Sequence, residues 1–130
     1  KNLRKVLNFG HTFAHAYEAV LKYSKKLNHG EAVLLGIMSA SKFSFQKKLL
    51  DKNEFELIKN HLIKFKLPKD INNNFTIKNL NQIITFMEKD KKNNSQKINL
   101  VLLKKIGNPN FNLSFQNNEL YSFLKKELIN

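Results

Sequence analysis

Three of the chain's four histidines fall in two short stretches, Asn8-Phe9-Gly10-His11-Thr12-Phe13-Ala14-His15-Ala16 and His29-Gly30-Glu31. Imidazole nitrogens bind divalent metals and exchange protons near neutral pH, and Arg4 and Asn8 alongside add groups that recognise anions and hydroxyls. His11 and His15 are four residues apart, so on a helix they project from one face and can share an ion. His29 follows a connection short enough for the chain to fold back, with Glu31 near the start of the next helix. A catalytic zinc takes about three protein ligands and keeps one position open. The spacing permits such a site without selecting which of these side chains bind. The same spacing is met by two helix-surface histidines and a loop histidine, with Glu31 a carboxylate favoured by a helix N-terminus.

The elements that must position these residues are mostly helical. Phe9, Phe13, Ala16, Val20 and Tyr23 recur at three- and four-residue steps, which predicts a helix from Leu7 to about Ser24. Asn28-His29-Gly30 interrupts it. A second, more apolar helix is expected from about Glu31 to Leu50, broken only by Gly36 and buried on most sides. Asp51 is placed to cap a third helix that Pro68 ends, and Thr76 to cap a fourth carrying Ile83, Ile84 and Met87. The period then changes to alternation over residues 97–103 and again over 111–115, with Gly107-Asn108-Pro109-Asn110 as the turn between two strands. Asn117 or Asn118 opens a last helix. The expected fold class is mainly α: a single helical domain over residues 1–130 with a small β-hairpin near residues 97–115.

Composition narrows the chemistry. The chain has 130 residues, 42% of them hydrophobic, enough for one domain with a core. It contains no Cys, which leaves His and carboxylate as ligands for a transition metal and suits zinc or a similar ion. The lack of Cys fits the cytoplasm, and no apolar run approaches the roughly 20 residues of a membrane span. The chain opens on Lys rather than Met, with no signal-peptide core behind it, and reads as an excised part of something longer. Net charge is +13, from 23 Lys+Arg against 10 Asp+Glu. That balance admits a basic helical module binding nucleic acid. Against it, Arg4 is the only arginine and the lysines are spread along the whole chain. The favoured reading is a lysine-rich background that helps attract a small anion, without nucleic acid or membrane as partner.

Arg4-x-x-x-Asn8-Phe9-Gly10-His11-Thr12-x-x-His15-Ala16-x-Glu18, then His29-Gly30-Glu31-Ala32-Val33-x-x-Gly36-Ile37-Met38, resembles the C-terminal part of the 3-dehydroquinate synthase family. Asp90-Lys91-Lys92, followed by Ile98-x-Leu100-Val101-Leu102-Leu103 and Ile106-Gly107, is similar to that family's later signature, in the same order. The resemblance covers nearly all of this chain but about the last third of a typical member. It implies a lyase of the shikimate pathway that needs a metal, Zn2+ or Co2+, and NAD. The lyase converts 3-deoxy-D-arabino-heptulosonate 7-phosphate to 3-dehydroquinate and phosphate. By the resemblance, His11 and His29 are metal ligands, and the third ligand is a glutamate upstream of this chain, so Glu31 is not one. It implies further that His15 contacts substrate and assists proton transfer. Arg4 and Asn8 bind substrate, and one of Lys91 and Lys92 acts in the active site. Ala14 departs from the pattern, standing where many members have Gly. His61 falls outside every matching block and reads as an ordinary helix histidine.

The chain has no Gly-rich dinucleotide fingerprint. The resemblance therefore implies that NAD is bound by an N-terminal domain absent from this chain. The expected partners are that domain, a small anionic sugar phosphate and a second copy of the full enzyme, and the fragment is expected to be inactive alone. Other sugar-phosphate cyclases and metal-dependent polyol dehydrogenases share the architecture and the histidine pair and stand as alternatives.

Overall fold

A computed structural model describes residues 10–21, 27–89, 97–102 and 111–129, and its described elements are five α-helices, two short 3-10 turns and one hairpin. Helix α1 spans His11–Leu21, α2 His29–Gln46, α3 Lys52–Lys64, α4 Leu80–Lys89 and α5 Asn117–Ile129. Strands β1 (Lys97–Leu102) and β2 (Phe111–Gln116) pair antiparallel, with Leu100 opposite Leu113 and Ile98 opposite Phe115. The mainly helical class with one hairpin is thus as expected. The turn at 107–110 lies outside the described residues.

Helix α1 packs chiefly on α2 and α4. Its buried face carries Phe13, Ala14, Ala16 and Tyr17, all nearly inaccessible to solvent. Phe13 meets Tyr17, Phe43 of α2 and Phe123 of α5, and Phe43 in turn meets Phe115 of β2 edge-on at 4.9 Å. This aromatic cluster ties α1, α2, α5 and the hairpin into one core. Tyr17 is fully buried, and its hydroxyl is satisfied by Ser39 Oγ at 2.6 Å. Burial pushes the phenol well above its ordinary range, which the Ser39 contact only partly offsets.

Three helix boundaries differ from the periodicity. Helix α1 does not run through Gly10, whose φ of 78° is left-handed, and residues 1–9 lie outside the described set. Helix α2 begins at His29, before Glu31, because Asn28 caps it. The same helix ends at Gln46, short of Leu50, because Lys48 takes a left-handed φ of 64° and turns the chain. The Leu49 N–H then donates to Ser44 O at 2.9 Å and the Lys48 N–H to Phe45 O at 3.0 Å, a Schellman ending. Helix α3 ends the same way, with Lys66 at φ 54° and Leu67 N–H on Leu62 O. Its N-terminus is capped by Asp51, as the sequence suggests. Thr76 caps a 3-10 turn, Ile77–Asn79, that leads directly into α4. Among the described residues no helix is long and apolar enough to cross a membrane.

Candidate active site

The outward face of α1 is the opposite of its apolar face. Phe13, Ala16 and Tyr17 point into the core, and this leaves His11, His15 and Glu18, at i, i+4 and i+7, as one polar stripe. His11 and His15 are exposed and lie ring to ring, with centroids 3.8 Å apart and planes tilted by 58°. The far end of the stripe holds the third histidine. His29 Nδ1 lies 3.1 Å from Glu18 Oε2 and 3.2 Å from Oε1. Glu18 is two turns beyond His11, about 10 Å along the axis at 1.5 Å per residue.

Local chemistry explains why His29 stands there. The Asn28 side chain accepts from the Glu31 N–H at 2.8 Å, and Glu31 Oε1 accepts from the Asn28 N–H at 3.0 Å. This reciprocal capping box fixes the entry of α2 and makes His29 its first residue. Glu31 is therefore employed at a helix N-terminus, one of the two roles open to it from spacing. The pattern Asn28-x-x-Glu31 was a legible signal for the cap. The crossing of α1 and α2 is set by glycine. A Cβ on Gly36 would lie 2.5 Å from Gly10 O and 2.7 Å from Ala14 Cβ. Gly36 is thus a contact point where the two backbones touch, and the extra methyl of Ala14 is accommodated because Gly36 has none.

A hollow beside His15 is lined by Ala19, Phe86 and Lys89 as well as by the histidine. Lys89, the last residue of α4, lies over the Phe86 ring at 5.4 Å from its centroid. The next residues in the chain are Asp90-Lys91-Lys92. Helix α4 therefore brings Lys89 to the side of α1 that carries His15. Lys91 and Lys92 themselves, and Arg4 and Asn8, lie outside the described residues. His61 is exposed on α3, its ring 4.8 Å from that of Phe65.

The donor set suits a divalent ion only in part. His11 and His29 offer imidazole nitrogens, but among the described residues no three His, Cys, Asp or Glu side chains are grouped to hold a metal. A zinc or cobalt centre needs about three protein ligands, so the described residues alone do not complete one. Glu18, a member of the motif with no role assigned from sequence, is the partner that sequence reasoning missed. Its position on the same helical face as both histidines was the available signal.

The fold is shared with about a third of the chain of 2-deoxy-scyllo-inosose synthase. The structure of 2-deoxy-scyllo-inosose synthase complexed with carbaglucose-6-phosphate, NAD+ and Co2+ superposes with a TM-score of 0.70 at 18% identity, over 92% of this chain and 32% of that one. A second structure of 2-deoxy-scyllo-inosose synthase gives 0.65 at 17% identity. At this identity the likeness is one of fold. The family follows from sequence: residues 1–93 match the family described as 3-dehydroquinate synthase C-terminal, and the chain belongs to that family. It is 63% identical over 126 residues to the 3-dehydroquinate synthase of Pelagibacter ubique, covering 97% of this chain and 34% of the relative. It is also 41% identical over 105 residues to that of Endomicrobium trichonymphae, covering 81% of this chain and 27% of the relative. The chain spans about a third of the length of the curated relatives it matches.

Proposed function

We propose that this chain is the C-terminal, metal- and substrate-binding part of a cytoplasmic 3-dehydroquinate synthase. The observation that carries the reading is the 63% identity, over nearly the whole chain, to a curated enzyme of that name. The reaction is conversion of 3-deoxy-D-arabino-heptulosonate 7-phosphate to 3-dehydroquinate and phosphate. The upstream two-thirds supplies the NAD-binding domain and the third metal ligand, and the complete enzyme is a homodimer.

When bound, a divalent cation polarises the substrate hydroxyl and NAD carries the hydride. His11 and His29 each offer one ring nitrogen to that cation. His15 stands beside His11 and opens onto the hollow that ends at Lys89, so it can hold or move a proton at its ring nitrogen where substrate lies. Arg4 fits a carboxylate with two parallel N–H bonds, which a lysine in its place would not reproduce. Asn8 offers both a donor and an acceptor to substrate hydroxyls. Lys91 or Lys92 supplies a positive charge to an anionic group of the substrate. Together these groups orient a doubly anionic sugar phosphate, and much of the rate gain in such a site comes from orientation.

The test is turnover with NAD and Zn2+ or Co2+, measured on the complete enzyme and on this chain alone. The complete enzyme releases phosphate from 3-deoxy-D-arabino-heptulosonate 7-phosphate, and the isolated chain does not. Turnover by the isolated chain would overturn the reading of it as half a site. The shared fold with 2-deoxy-scyllo-inosose synthase makes other sugar phosphates the appropriate competitors. Preference for one of them by the complete enzyme would move the assignment to a related cyclase.

A further inference from the structure

We infer that Glu18 is the positioning residue for His29: its carboxylate holds the ring's Nδ1–H and so presents Nε2 as the metal-binding nitrogen. The inference rests on the reading of His29 as a metal ligand proposed above. Both carboxylate oxygens lie within hydrogen-bond reach of Nδ1, at 3.1 and 3.2 Å. An ionised carboxylate only accepts, so the nitrogen facing it must carry the proton. In a neutral imidazole that leaves the free lone pair on Nε2, the form a metal requires. The His29 side chain is 73% exposed, so core packing does not orient the ring, and the Glu18 carboxylate is the polar group on α1 that meets it. The backbone beneath it is fixed by the Asn28–Glu31 capping box. The Gly10–Gly36 contact between α1 and α2 fixes where Glu18 stands relative to it. An exposed polar contact of this kind adds little to folding stability. Its consequence here is orientation, of the kind that carboxylates give to metal-ligating histidines.

The test compares the complete enzyme with its Glu18→Ala, Glu18→Gln and His29→Ala variants, none of which touches the core. Zn2+ dissociation constants are measured by chelator competition. The His29 tautomer is read from 15N shifts in the metal-free, 15N-histidine-labelled protein. We expect Glu18→Ala to weaken Zn2+ binding by roughly 10- to 100-fold and to turn His29 from an Nδ1–H form into a tautomer mixture. Glu18→Gln weakens binding less, because an amide can turn either its oxygen or its nitrogen toward Nδ1. His29→Ala weakens it at least as much as Glu18→Ala. Wild-type affinity in Glu18→Ala together with loss in His29→Ala would overturn the positioning role and leave His29 a ligand. So would weakened binding with an unchanged tautomer. Wild-type affinity in His29→Ala would overturn the ligand reading itself, and the positioning role with it.

Discussion

Gly36 and Gly10 meet backbone to backbone: a Cβ on Gly36 would stand 2.5 Å from the Gly10 carbonyl oxygen, and one on Gly10 would stand 2.6 Å from the Gly36 carbonyl oxygen. The contact sits one residue before His11 and fixes how α1 crosses α2. Gly36→Ala must push backbone against backbone, which costs about 1–3 kcal/mol as overpacking does. Gly10→Ala adds the strain of a side chain at φ 78° to the same clash and is expected to cost more. Urea unfolding midpoints measure both. A wild-type midpoint for Gly36→Ala would show that the crossing is looser than described.

The two Schellman endings place lysine where glycine is ordinarily favoured. Lys48 and Lys66 sit at φ 64° and 54°. Lys48→Gly and Lys66→Gly each relieve left-handed strain and are expected to stabilise by roughly 0.5–1 kcal/mol, net of the greater freedom of glycine in the unfolded chain. Both positions are exposed, so no packing is lost. A fall in the unfolding midpoint of either variant would contradict this.

An ion-pair cluster joins α2, the 3-10 region and α5. Lys42 Nζ donates to Asp70 Oδ1 at 3.2 Å and Glu127 Oε1 at 2.6 Å, and Lys69 Nζ donates to Asp70 Oδ2 at 2.6 Å. Partial burial would raise the Asp70 carboxyl, but the hydrogen bonds and charges of Lys69 and Lys42 outweigh it and hold the group below its ordinary 3.8. A carboxylate depressed on folding stabilises fully above its unfolded value and loses that contribution as pH falls through the lower folded value. Stability is therefore expected to decline from about pH 4 downward. Asp70→Asn should flatten part of that decline in urea unfolding from pH 6 to pH 2. An unchanged slope would exclude Asp70 as a source.

Glu31 separates a cap from a ligand. Asn28→Ala is expected to lower stability by about 1 kcal/mol, the usual cost of losing an N-cap. Glu31→Gln keeps the box, since an amide oxygen can still accept from Asn28 N–H, and should leave Zn2+ affinity of the complete enzyme at the wild-type value. Lost affinity in Glu31→Gln would make Glu31 a ligand after all.

Much of this arrangement was legible in the sequence, and the parts that were not have physical reasons. Helical periodicity located the described helices because apolar residues recur at helical steps on them, as with Phe13, Ala16 and Tyr17 on α1. Alternation located both strands of the hairpin. Boundaries failed where backbone conformation overrode hydrophobic pattern. Left-handed Gly10 and Lys48 stop helices that apolar spacing would continue, and the Asn28 cap starts α2 at His29, two residues before the expected Glu31. Spacing alone grouped His11 with His15, and the rings do lie together. It could not reveal that His29 is held by Glu18, because that pairing depends on how α1 crosses α2, which a glycine contact determines.

The proposed site makes His11 and His29 metal ligands and gives His15 to the substrate. It is tested most directly by the zinc content of the complete enzyme purified as His11→Ala, His15→Ala and His29→Ala variants and dialysed against a weak chelator. His11→Ala and His29→Ala are expected to lose the metal, whereas His15→Ala retains about one ion per chain, as a three-ligand zinc site should, and loses turnover. Loss of zinc from His15→Ala to the same extent as from His11→Ala, with His29→Ala retaining it, would contradict the account and make the ring-to-ring pair on α1 the metal site.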